Sequence, residues 1–277
     1  MSRSECLQYN ALDGVLPYIS FKMLKYLYDS IVGFKILRGA SKVIALSEIE
    51  ASQYKAMGVP EEKIAIIPNG IDSSEYAKLP PKGLFKRKFG ISQNKRIVLY
   101  LGRVHKDKGI SFLIKAFAYL KKKLHRNNVI LVIAGPDDGY MSNAQSLVEY
   151  LGLPDSVMFT GMLTEREKIS AFVDADVCVY PCFFEPFGIV SLESAATGTP
   201  VIVCKGTPMS KIVKEGKFGF SVSYGNVYEL ANAMDKILSD DALRDIMSNN
   251  GRRFVFKNFS WDRIVIEFEK VYKEVVA

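Results

Sequence analysis

The feature that most restricts how this chain can fold is an alternation that starts at Arg96 and runs to the end, in which short β-branched runs give way to amphipathic stretches. Arg96-Ile-Val-Leu-Tyr-Leu101 reads as a buried strand, and the apolar-periodic stretch from Gly109 to Leu124 as a helix. Further strands are expected at 129–134, 157–160, 177–180 and 200–204, interleaved with helices near 144–151, 165–172, 189–197 and 227–238. Repeated β then α predicts the α/β class, with a Rossmann-like, doubly wound parallel sheet. At about 100 to 200 residues per domain, a chain of 277 residues is nearly two domains' worth, or equally one large domain plus a remnant.

The first 70 residues read differently. They offer one βα unit (Lys42 to Leu46, then Glu48 to Met57) and a strand from Lys63 to Ile67, followed by Pro68-Asn69-Gly70. Asn-Gly is a strong turn signal and marks a hinge or linker here. Before the βα unit, residues 19–38 mix Lys22, Lys25, Lys35 and Arg38 with Phe21, Tyr26, Leu27, Tyr28 and Phe34, against one acid, Asp29. That composition suits contact with a membrane surface, or equally a helix packed on protein with its cations outward.

Composition excludes several classes. With 48% hydrophobic and 24% charged residues the chain is neither disordered nor fibrous. No run of some 18 residues is free of charge, so no spanning helix is expected, and MSRSECLQYN lacks a secretory h-region. Cys6, Cys178, Cys182 and Cys204 form no C-x-x-C pair, which argues against zinc or a disulfide framework and for a cytoplasmic home. The net charge of +7 lies mostly beyond residue 70, where 29 bases face 23 acids. It suits a phosphorylated small molecule better than nucleic acid, since no zinc finger, ribonucleoprotein motif or base-reading helix accompanies it.

In a doubly wound sheet, ligands bind beyond the carboxyl ends of the strands. The loop after the first strand, Gly102 to Gly109, carries Arg103 and Lys108 next to a helix start, as a diphosphate site would require. A solvated basic loop is the bland alternative. The loop after strand 177–180 leads into Glu185-Pro-Phe-Gly-Ile-Val-Ser-Leu-Glu193. A helix beginning near Gly188 would turn backbone N–H groups of Gly188, Ile189 and Val190 into the cleft, where anions are favoured. Glu185 and Glu193, eight positions apart, could grip hydroxyls of two sugar rings. Asp174-Ala-Asp176 has the spacing of a metal-binding Asp-x-Asp but precedes its strand, on the wrong edge, and reads as a turn. Asp137-Asp138 reads as an exposed loop, and His105 as a solvated histidine.

Glu185-Pro-Phe-Gly-Ile-Val-Ser-Leu-Glu193 resembles the paired-glutamate motif of the retaining glycosyltransferase family 4 (glycosyl transferases group 1), of GT-B fold. Ser41-Lys-Val-Ile-Ala-Leu-Ser47, Ile66-Ile-Pro-Asn-Gly-Ile-Asp72, Gly102-Arg103 with Lys108-Gly109, Val157-Met-Phe-Thr-Gly161 and Ala175-Asp-Val-Cys-Val-Tyr-Pro181 extend the resemblance over about residues 40–275. It implies that Arg103 and Lys108 neutralise a donor diphosphate. Glu185 would face the transferred sugar as the catalytic residue, and Glu193 would hold the ribose. Amides around Phe187, Gly188, Ile189 and Val190 would touch sugar and phosphate.

The resemblance further implies transfer from a nucleotide sugar with retention and with no metal or other cofactor. By it, residues 71–260 form the donor-binding domain, 1–70 a remnant of the acceptor-side domain, and 261–277 a helix crossing back. The sequence does not name the acceptor, for which a glycan or a lipid-linked glycan is one candidate; the expected location is the cytoplasm or, peripherally, its membrane face. A truncated first half implies a partner chain or self-association. Two alternatives stay open: a non-catalytic or partner-dependent nucleotide-sugar-binding subunit, and a GT-B nucleotide-sugar epimerase.

Overall fold

The computed structural model of the chain describes Met23 and residues 28–276. In chain order, a single π-helical turn, Asp29–Gly33, leads into α1 (Phe34–Gly39), β1 (Val43–Ala45), α2 (Glu48–Ala56) and β2 (Ile64–Ile66). There follow α3 (Leu84–Lys88), β3 (Arg96–Leu101), α4 (Ile110–Lys122), β4 (Val129–Ala134), α5 (Met141–Tyr150), β5 (Val157–Gly161), α6 (Glu165–Asp174) and β6 (Val177–Tyr180). The chain continues through α7 (Ile189–Thr197), β7 (Val201–Cys204), α8 (Pro208–Gly216), β8 (Gly219–Val222), α9 (Val227–Ser239), α10 (Asp241–Phe259) and α11 (Trp261–Val276).

Strands β3 to β8 form one parallel sheet in the order β5-β4-β3-β6-β7-β8, with Leu99 in register with both Val132 and Cys178. The chain thus winds outward from β3 in one direction and then, through α6, restarts at β6 on its other side. Every residue of β4, β6 and β7 is buried, as expected for strands covered on both faces. α4 supplies the matching helical stripe: Ile110, Leu113, Ile114, Phe117 and Leu120 are fully buried. Each such side chain stabilises the fold by about 1.5–3 kcal/mol through its removal from water. α6 starts at a capping box, in which Thr164 and Glu167 each satisfy the other's backbone N–H.

A smaller parallel pair, β1 with β2, is joined by α2 into a βαβ unit. Ser47 caps α2 by accepting from Glu50 N–H, and Glu50 Oε2 accepts from Leu46 N–H at 2.6 Å. The path into the large sheet runs beside α11: Ile71 N–H donates to Phe259 O at 2.8 Å, and Trp261 N–H donates to Ile71 O at 3.0 Å. Near the end of α11, Glu274 Oε2 lies 2.9 Å from Lys42 Nζ, just before β1.

The Asn69-Gly70 turn does not form. Residues 67–70 are irregular and Gly70 has no positive φ; a Cβ there would lie 2.9 Å from the Trp261 ring, so the glycine serves close packing instead. α3, α8 and β8 are elements the sequence reading did not contain. Of the 19–38 segment, residues 19–22 and 24–27 lie outside the described residues, and in the rest Ile31 and Ile36 are exposed. Among the described residues no helix is long and apolar enough to cross a membrane.

Candidate active site

The strand order reverses between β3 and β6, and the crevice beyond their carboxyl ends is where an open α/β sheet binds ligands. The loops leaving these two strands, residues 102–109 and 181–188, meet there at backbone contact. Gly109 has φ +72°, and a Cβ on it would stand 2.2 Å from the carbonyl oxygen of Pro181. Only glycine tolerates both the left-handed conformation and that approach. Between them, Lys106–Lys108 forms one turn of 3₁₀ helix, capped by His105, whose Nδ1 accepts from Asp107 N–H at 3.3 Å. His105 therefore caps this turn while its side chain stays 32% exposed.

This packing joins residues far apart in sequence. Lys108 Nζ lies 2.7 Å from Glu185 Oε2, with the side chains 17% and 19% exposed. The Tyr180 hydroxyl donates to the same oxygen at 2.8 Å, and the Lys108 ammonium sits 5.9 Å from the Tyr180 ring centre. Tyr180 in turn stacks on Tyr100, centroids 6.2 Å apart and planes within 4°, and the Tyr100 hydroxyl donates to Arg103 O at 2.8 Å. Burial first, and then the Glu185 charge, pushes the Tyr180 phenol far above its ordinary value, so it remains a donor.

Arg103 stands further out, 2.6 Å from Asp138 Oδ2, the side chains 63% and 41% exposed. A pair so solvated is worth at most about 1 kcal/mol and yields readily to an incoming anion. The neighbouring Asp137 accepts from Gly139, Tyr140 and Met141 N–H at 3.0, 3.1 and 3.0 Å, shaping the turn into α5.

α7 opens on Gly188, at φ +89°, and its first turn carries N–H groups of Ile189 and Val190 that have no carbonyl partner within the helix. Ile189 is exposed at the rim. The Phe187 ring is buried against Phe259, centroids 6.3 Å apart, so this residue can offer the site its backbone only. One turn on, Glu193 Oε1 lies 2.9 Å from Lys168 Nζ of α6, and the Tyr76 hydroxyl is hydrogen-bonded to Glu193 as well. Burial pushes the Glu193 carboxyl up while Lys168 opposes the shift.

Asp174 and Asp176 sit at the opposite edge of the sheet and hold backbone. Asp174 accepts from Gly83 N–H and from Lys86 N–H, the latter at 2.9 Å, and Asp176 accepts from Ile97 N–H at 2.8 Å and Arg96 Nη1 at 2.7 Å. Both work harder than a turn would need. Sequence reasoning missed Tyr180, Tyr100, Lys168 and Tyr76. Of these only Tyr180 left a signal, a polar-tipped residue ending a strand at the ligand edge.

A doubly wound sheet with opposed basic and acidic side chains at its switch point has the crevice of a ligand-binding α/β protein, and the family follows from comparison. The chain belongs to the glycosyl transferases group 1 family, whose model matches residues 82–254. A model of glycosyltransferase family 4 matches residues 15–75. An uncharacterized glycosyltransferase of Methanocaldococcus jannaschii is 36% identical over 236 residues, covering 84% of this chain and 60% of the relative. A D-inositol 3-phosphate glycosyltransferase of Paenarthrobacter aurescens is 28% identical over 249 residues, covering 88% and 60%.

Among solved structures, sucrose-phosphate synthase from Thermosynechococcus elongatus superposes with a TM-score of 0.77 at 28% identity, covering 89% of this chain and 61% of that one. HepE of Anabaena, solved with UDP and glucose, shares the fold with a TM-score of 0.78 at 23% identity, covering 88% and 66%. The chain spans about 60% of the length of these curated relatives.

Proposed function

We propose that this chain is the donor-binding part of a glycosyltransferase that takes a nucleoside-diphosphate sugar and transfers the sugar with retention, without a metal. The observation that carries the reading is the Lys108–Glu185 pair at the switch point, with Arg103 on the same loop as Lys108. A diphosphate placed there meets two cations and the first turn of α7, which together neutralise the leaving group as the glycosidic bond breaks. Glu185 then accepts hydrogen bonds from hydroxyls of the transferred sugar. Glu193, deeper in the cleft, takes the ribose diol. The departing phosphate receives the acceptor's proton on the face it leaves, which yields retention.

In this reading residues 71–260 bind donor, 1–70 belong to the acceptor side and 261–277 tie the two together. The acceptor is a glycan or lipid-linked glycan at the cytoplasmic membrane face, approached through residues 19–38. Full turnover needs acceptor surface beyond the β1/β2 unit, from a further domain or a partner chain; the greater length of the relatives supports this. Loss of that positioning leaves donor binding intact and turnover low.

Calorimetric titration with UDP and GDP tests the reading. Arg103→Ala is expected to weaken binding by about 1.5–3 kcal/mol, the range for a charged hydrogen-bonded partner. Binding and transfer are expected to persist in EDTA. Unchanged affinity in the variant, or activity that disappears with chelator and returns with manganese, would overturn it.

A further inference from the structure

Glu185 Oε2 has two hydrogen-bond donors, Lys108 Nζ at 2.7 Å and the Tyr180 hydroxyl at 2.8 Å. The inference drawn from this rests on the donor-pocket reading above. A diphosphate entering beside Lys108 competes with Glu185 for one ammonium, and a mostly buried carboxylate that loses its cation needs another hydrogen-bond donor to hold it in place.

Tyr180 is built to remain. It ends β6, its side chain is buried, and its ring is clamped against Tyr100, which is itself tied to the Arg103 carbonyl. Its proton is held firmly by burial and by the carboxylate it faces. We propose that Tyr180 is a positioning residue that keeps Glu185 fixed while Lys108 exchanges the carboxylate for the donor diphosphate. In the empty site Glu185 acts as an internal competitor for the lysine, and Tyr180 weakens that competition by stabilising the carboxylate without it.

This arrangement dictates the signs of a double-mutant cycle. Glu185→Gln removes the competing charge, so UDP or GDP binds more tightly, by about threefold to tenfold. Tyr180→Phe keeps the ring and the stack but removes the hydroxyl. Freeing Lys108 then strands Glu185, and the nucleotide binds about threefold to tenfold more weakly. In the Glu185→Gln background Tyr180→Phe has no further effect. A merely structural tyrosine would weaken binding equally in both backgrounds.

The experiment is calorimetric titration of UDP and GDP into the wild-type chain, the two single variants and the double variant, with melting curves for all four. Opposite signs for the single variants and no added effect in the double support the proposal. Equal losses in both backgrounds overturn it, as does a Glu185→Gln variant with no gain in affinity, a result that decides the matter even if Tyr180→Phe fails to fold. If the wild-type chain takes up neither nucleotide, the donor reading itself fails and the proposal falls with it.

Discussion

Lys168 Nζ and Glu193 Oε1 face each other at 2.9 Å across the gap between α6 and α7, each side chain 14% exposed. Burial raises the Glu193 carboxyl above its ordinary 4.5, and the ammonium holds that rise in check. Lys168→Met therefore raises it further, so as pH is lowered nucleotide binding by the variant should weaken at a higher pH than it does in the wild type. Calorimetry of wild type and variant across a pH series starting near 4.5 reads this out; a variant with the same pH dependence as the wild type argues against it. For stability the sign is opposite. A carboxyl with a raised folded pKa binds its proton more tightly when folded, so its contribution declines as pH climbs from 4.5 through the raised value.

The two carboxylates of Asp174-Ala-Asp176 are expected to matter for folding and not for ligand. Asp176→Ala leaves Ile97 N–H without its partner and Arg96 with Asp241 alone, which should cost about 2–3 kcal/mol. Urea denaturation measures it. Manganese should leave the wild-type melting temperature unchanged; a rise that disappears in the variant would assign these residues to a metal.

Gly109→Ala combines a left-handed backbone at φ +72° with a Cβ 2.2 Å from the Pro181 carbonyl. The loops at 102–109 and 181–188 must part to admit it, at a cost of about 2 kcal/mol or more. Nucleotide affinity should fall with stability, because the shift carries Arg103 and Lys108, both on the 102–109 loop, away from the first turn of α7. Retained stability with retained binding would show that the two loops are not locked together.

Ser191 lies in the first turn of α7, fully buried, and its Oγ has no hydrogen-bond partner among the described residues. Ser191→Ala removes that unsatisfied hydroxyl and should stabilise the fold by about 1 kcal/mol. A lower urea midpoint in the variant would mean that the hydroxyl is satisfied in solution.

Sequence pattern located the large sheet because β3, β4, β6 and β7 are continuous apolar runs, a signal that survives without tertiary context. β8 escaped it: Gly219-Phe-Ser-Val222 is short, opens on glycine and lies at the sheet edge, only partly buried. α8 escaped although Thr207 and Pro208 mark a helix start, since the stretch is half polar. Asn69-Gly70 misled because a glycine kept for a tryptophan ring looks the same as one kept for a turn. At the site, Arg103, Lys108, Glu185 and Glu193 were legible as charged residues at the ligand edge. Their immediate partners were not, because Tyr180 blends into an apolar strand and Lys168 meets Glu193 only after two helices pack side by side.

The placement of Lys108 and Glu185 also bears on the order in which the molecule assembles. They are 77 positions apart, yet their loops leave neighbouring strands, and β3 must pair with β6 before either residue can find the other. A nascent chain that has folded β3, β4 and β5 already holds three paired strands and half the charges, but no crevice. Long-range parallel pairing of this kind is slow to form. Competence to bind nucleotide should therefore appear late in refolding, as a kinetic phase that trails the recovery of helical signal.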